Sequence, residues 1–148
     1  MTTTTSATFA PTLPDQPQVG LSLPHEAAHL HVTGRAPYVD DIPELAGTLH
    51  AALGLSPLAH GTLLGIDLAR LRAQPGVVAV LTAADIPGPN DCGPIVHDDP
   101  ILADGTLRHV GQPVFAVIAT TREAARRAAA LAKDVIQATP LPAVLTPA

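Results

Sequence analysis

From Gly47 to Ser56 the chain alternates, with Leu49, Ala51, Leu53 and Leu55 at every second position and Thr48, His50, Ala52 and Gly54 between them. A period of two predicts a strand, and the leucine-bearing side is the one expected to be buried. The stretch after Ser56-Pro57 reads as a loop. Asp67 then stands where a cap opens a short helix over DLARLRAQ, in which Leu68 and Leu71 share a face before Pro75-Gly76 ends it. Val77 to Leu81, VVAVL, is apolar throughout and rich in β-branched residues, the composition of a strand covered on both faces. Thr82-Ala-Ala-Asp85 has the spacing of a capping box and predicts one helical turn, stopped by Pro87-Gly88.

Residues 87 to 113 show no regular period and read as a long irregular connection. Connections of that length are usually functional or interfacial, and Pro87 to Val110 is the segment expected to meet neighbouring domains. PVFAVIA, ending at Ala119, predicts a buried strand with Pro113 tolerated at its first position. Thr120 and Glu123 form a second capping box, and the helix they open is expected to run to about Asp134. Ala124, Ala128, Leu131 and Val135 recur at helical spacing, while Arg122, Arg126 and Lys133 share the opposite, wet face. Val135 to Ala138 is extended and leads into Pro140. Strands alternating with helices predict an α/β layer arrangement, a mixed sheet with short helices and right-handed crossovers. Residues 1–24, rich in Thr, Pro, Gln and Ser, read as a flexible leader, and residues 25–148 as the folded domain.

Composition narrows the partners. A length of 148 residues allows little more than one domain. Thirteen acidic against eight basic side chains leave a formal charge of −5, which argues against nucleic acid, whose phosphates require clustered cations. Phe9, Tyr38 and Phe115 are the only aromatics, too few for a base-stacking platform. Cys92 is the only cysteine, so neither an internal disulfide nor a thiolate zinc cluster is encoded. Met1 to Ala10 carry no lysine or arginine and no apolar run follows, so no secretory signal is read there. No apolar stretch approaches the roughly 20 residues that span a bilayer, and the expectation is a cytoplasmic protein without membrane contact.

Each candidate for chemistry has a plainer alternative. His25-Glu-Ala-Ala-His29 matches the H-E-x-x-H zinc-hydrolase pattern literally, with His31 close by. A metalloprotease needs a stable helix and a third ligand, whereas this segment follows Pro24 and meets Gly34, leaving room for one turn with exposed imidazoles. Cys92 and His97 suggest a thiol nucleophile with its base, but adjacency in a Pro/Gly loop is no geometric evidence. Asp40, Asp41 and Glu44, and again Asp98, Asp99 and Asp104, group carboxylates without the spacing of a calcium loop. Gly20, Gly61, Gly65, Gly105 and Gly111 form neither a P-loop nor a GxGxxG element.

Longer runs carry more. LPHEAAHLHVTGRAPYVDD from Leu23 to Asp41, then GTLHAALGLSPLAHG, GVVAVLTAADIPGPNDCGPIVHDDPIL and VGQPVFAVIA, closely resemble the start of the molybdopterin-binding large subunit of bacterial xanthine dehydrogenases. The resemblance covers nearly everything after the leader. It implies the a/b hammerhead domain that this family shares with aldehyde oxidases and carbon monoxide dehydrogenases. The Leu-Pro-His-Glu opening and the Asn90-Asp-Cys-Gly-Pro94 loop favour the xanthine dehydrogenase branch over the aldehyde oxidase one. For a complete enzyme the resemblance implies oxidation of hypoxanthine and xanthine to urate, using molybdenum-molybdopterin, 2Fe-2S clusters, FAD and NAD. The implied partners are the remaining molybdenum domains and an iron-sulfur/FAD small subunit. None of the 148 positions matches the family's base or cofactor-binding segments, so no catalytic, cofactor-binding or metal residue is assigned. Where relatives carry Tyr-Glu before Leu-Pro, this chain has Ala138-Thr139 before Pro140-Leu141-Pro142. The expectation is therefore a fragment or N-terminal domain acting as scaffold. The alternatives are a free-standing binding module of the same fold and the zinc hydrolase of His25 and His29.

Overall fold

The computed structural model describes residues 19–143, 145 and 146. Residues 1–18 of the leader read from the sequence lie outside the described residues. The chain divides between Pro43 and Glu44 into two units.

In the first unit, helix α1 (Ala28–Val32) is one short turn with no buried residue. Ala27 N–H donates to His25 Nδ1 at 3.1 Å, and Thr33 Oγ1 donates to the His29 carbonyl at 2.6 Å. Gly34 has φ 68°, a left-handed conformation that lets Arg35 N–H return to the Leu30 carbonyl and stops the helix. A 3-10 turn follows at Val39–Asp41, where Asp41 accepts from Tyr38 N–H.

The second unit holds two three-stranded sheets. In the first, β1 (His50–Leu55) and β3 (Val77–Leu81) flank β5 (Pro113–Ala119). In the second, β4 (Thr106–Leu107) and β6 (Ile136–Pro140) flank β2 (Gly61–Ile66). The α/β class with short helices holds. Every strand pair among the described residues is antiparallel, however, so the right-handed parallel crossovers predicted from the alternation do not form. Two strands, β2 and β4, lie in stretches that the sequence reads as loops. Glycines at 61 and 65 blur the alternation of β2, and β4 has only two residues.

Helix α2 (Leu68–Arg72) is capped as expected, with Asp67 accepting from Arg70 N–H at 3.0 Å. Thr82 and Asp85 also form their box: Asp85 Oδ2 accepts from both Thr82 N–H and Thr82 Oγ1, opening the 3-10 turn Ala83–Asp85. The helix expected to run unbroken to Asp134 is instead two, α3 (Arg122–Ala129) and α4 (Ala132–Val135). Its cap is Thr121, which accepts from Ala124 N–H, while Thr120 N–H is held by the Gly76 carbonyl.

The alanine face of α3 packs on β1 and β5. Ala124, Ala125, Ala128 and Ala129 are buried there. Leu71 of α2, Val135 of α4 and Leu107 of β4 join Phe115, Val117 and Val80 in the main core, so the helices bridge the two sheets. Ser56 and Gln112, the buried polar residues among those described, are both satisfied. Ser56 Oγ donates to the Leu58 carbonyl, and Gln112 Oε1 accepts from Arg108 N–H at 2.7 Å.

β1 reverses the predicted burial. Ala52 and Gly54 turn inward, whereas Leu49, Leu53 and Leu55 are 47%, 51% and 44% exposed. The inner side is occupied by α3 and by the Phe115 ring, which a Cβ at position 54 would overlap. Only the small side of β1 fits that space. β3 is likewise covered on one face only, with Val80 buried and Val78 and Leu81 exposed.

Candidate functional site

The long connection is built around Asn90 and Asp91. Asn90 clamps Leu102 from both sides, Nδ2 donating to its carbonyl at 2.7 Å and Oδ1 accepting from its N–H at 3.0 Å. Asp91 Oδ1 accepts from the N–H groups of Gly93 and Asp99, and Asp91 Oδ2 pairs with His97 Nδ1 at 2.5 Å. The Gly93 N–H, aided by His97 and the Asp99 N–H, holds the Asp91 carboxyl below the usual range against partial desolvation. Leu102 and Ala103 are buried beyond the clamp, so part of this irregular segment belongs to the core.

Cys92 sits in the same turn. Its Sγ donates to the Asp99 carbonyl at 3.3 Å and lies 3.6 Å from Asp99 Oδ2. Partial desolvation, and then the Asp99 carboxylate, raise the thiol above its ordinary value. A nucleophilic cysteine needs the opposite environment, a neighbouring cation or base that favours thiolate. His97 is engaged by Asp91, and although it lines the same cavity as Cys92, no hydrogen bond among the described residues joins the two.

The other candidates stay apart. His31 Nδ1 meets the Tyr38 hydroxyl at 3.1 Å, His25 Nδ1 accepts from Ala27 N–H ahead of α1, and the five residues of α1 hold His29 but not His25, so no helix presents the two as a zinc pair. Among the described residues, no group of three or more His, Cys, Asp or Glu side chains could hold a metal ion. Asp41 caps its turn, and Asp98 contributes its backbone carbonyl to Arg108. Glu44 is the carboxylate whose role the sequence hides: its Oε1 binds Arg122 at 2.9 Å and its Oε2 lies 3.6 Å from His50, tying the start of α3 to β1.

The first sheet also carries an apolar face. Pairing across the first sheet puts Leu53 opposite Ala116, Ala51 opposite Ile118, and Leu81 and Ala79 opposite the same two residues of β5. These six form the face turned away from α3. It carries no charged or polar side chain, and Ala51, Leu53 and Leu81 are exposed. Ile95, Val96 and Val110 of the long connection are exposed as well.

Residues 33–137 match the family described as aldehyde oxidase and xanthine dehydrogenase, a/b hammerhead domain. The chain belongs to this family. It is 42% identical over 128 residues to xanthine dehydrogenase of Oryza sativa, an alignment covering 86% of this chain and 9% of that protein. It is 40% identical over 118 residues to aldehyde oxidase 2 of Cavia porcellus, covering 80% of this chain and 8% of the relative. Among solved structures, quinoline 2-oxidoreductase of Pseudomonas putida superposes with a TM-score of 0.69 at 34% identity, covering 84% of this chain and 16% of the other. The chain thus spans about a tenth of the length of the curated relatives it matches.

Members of this family are molybdenum hydroxylases. The polar cluster around Asp91 and Cys92 does not fit a molybdopterin site. Both oxygens of Asp91 and the Cys92 sulfur are spent on bonds within their own loop. No reaction step is therefore assigned to residues of this chain. No helix among the described residues is long and apolar enough to cross a membrane.

Proposed function

We propose that residues 25–148 are the a/b hammerhead portion of a xanthine dehydrogenase-type molybdenum hydroxylase, and that this portion acts as scaffold without contributing catalytic, cofactor-binding or metal-binding residues. The observation that carries the reading is the uncharged outer face of the first sheet, Ala51, Leu53, Ala79, Leu81, Ala116 and Ile118. Contiguous apolar surface on a folded domain marks a place where another surface belongs. Ile95, Val96 and Val110 extend the same argument to the long connection.

The parent activity is oxidation of hypoxanthine and xanthine to urate with NAD as acceptor. Molybdenum-molybdopterin, 2Fe-2S clusters and FAD are held by the remaining molybdenum domains and by an iron-sulfur/FAD subunit, in the cytoplasm. The support is the 42% identity to a xanthine dehydrogenase. An aldehyde-oxidising parent is the second reading, favoured by the 40% identity to an aldehyde oxidase. The purified chain is expected to release no urate from xanthine and to retain no molybdenum by elemental analysis. Turnover by the chain alone would refute the scaffold role. Reading the DNA beyond codon 148 tests the parent: molybdenum-domain sequence supports it, and unrelated neighbours after an intact stop favour a free-standing module.

A further inference from the structure

β1 lies at one edge of the first sheet and has a strand neighbour on one side only, β5. In a ladder, alternate N–H and C=O groups of an edge strand point away from its partner and stay available. Proteins usually blunt such an edge with proline, lysine or an inward charge. β1 reads HAALGL and has none of these, while the register shift at Gly54/Leu55 falls at its end.

Alongside this edge runs a groove of about 350 Å³, bounded by Ala52, Leu53 and Leu55 and floored by Ala129, Ala130 and Ala132. Arg126 and Lys133 stand over it. Both are exposed, and among the described residues neither forms a salt bridge. By contrast, Arg122 is paired with Glu44 and Arg127 with Glu123. The groove therefore offers an unsatisfied backbone edge, a floor of small apolar side chains and two cations without counter-ions.

We propose that an extended, carboxylate-bearing polypeptide segment adds to β1 as a further strand, its aliphatic side chains on the alanine floor and its carboxylates on Arg126 and Lys133. Strand addition of this kind takes affinity from main-chain hydrogen bonds and specificity from alternate side chains. A second copy of this chain is the wrong occupant. Two-fold pairing of β1 with β1 keeps the two α3 helices on one face of the joined sheet and sets like charges, Arg126 and Lys133 of each copy, on that same side. The segment comes from polypeptide outside this chain, in keeping with relatives about ten times its length. The inference deepens the scaffold reading and rests on it.

The test uses the full chain, isotope-labelled, with two acetylated peptides whose alternate, groove-facing positions read Glu, Val, Glu in one and Lys, Val, Lys in the other, with threonine at the positions between them. Saturable backbone amide shifts are expected over His50–Leu55 with the glutamate peptide, and about fivefold weaker binding of the lysine peptide. The double variant Arg126→Glu, Lys133→Glu should reverse that preference. Arg126→Gln with Lys133→Gln, which adds no new charge, should abolish it. Absence of shifts at β1, equal binding of both peptides, or a dimer formed through β1 would overturn the proposal. None of these results bears on the parent enzyme, which is decided by turnover and by the downstream DNA.

Discussion

Phe115 is fully buried and lies against Gly54, so this contact is where β1 is seated on the core. Truncating the ring in Phe115→Ala is expected to cost about 3–5 kcal/mol in denaturant unfolding, through lost burial and the cavity left behind. Filling the opposite position in Gly54→Val should cost about 1–3 kcal/mol by overpacking, although valine is the better strand former. The loop carboxylates act on a different axis. Asp91 is held down by the Gly93 N–H, and Asp85 by the N–H and then the hydroxyl of Thr82. A carboxyl depressed in the folded state stabilises fully above its ordinary value, and that contribution is lost as pH falls through the folded value. The protection factors of the Gly93 and Asp99 amides, taken against their intrinsic exchange rates at each pH, should therefore fall on acidification below the ordinary aspartate range, and change much less in Asp91→Asn, which is already loosened. Cys92 points the other way: Asp99→Asn removes one cause of its raised thiol value and should quicken alkylation near neutral pH, read by mass spectrometry.

The elements show which local signals survive folding. Caps are decided within a few residues, and Asp67 and the Thr82–Asp85 pair do what their spacing predicts. At α3 the cap moves by one residue to Thr121, because Thr120 is already bound to Gly76 in the turn before β3. Thr121→Ala should cost about 1 kcal/mol in thermal or denaturant unfolding, and Thr120→Ala less. The face of β1 is not a local matter. Alternation gives the period of the strand but not which side is buried, and here a helix of small residues selects the alanine-glycine side. The rule that leucines point inward fails at a strand whose leucines are turned away from the core.

On the scale of the whole molecule, that inversion leaves an apolar face on a sheet whose other face is already covered. Leu53→Lys and Leu81→Lys remove surface that the core does not use, so each should change unfolding stability by no more than about 0.5 kcal/mol. Installed in a full-length molybdenum hydroxylase, the same changes should lower the yield of assembled enzyme, measured as molybdenum per polypeptide. The sequence by itself determined the order of the principal elements, the caps of α2 and of the Ala83–Asp85 turn and, through long runs such as those around Asn90 and Pro113, membership of the family. These are properties of residues close together along the chain or of extended text. Antiparallel pairing, strands β2 and β4, the Asn90 clamp on Leu102 and the outward leucines were decided only in three dimensions. Each depends on what a distant segment brings to the same place, and periodicity within one segment carries no record of its neighbour.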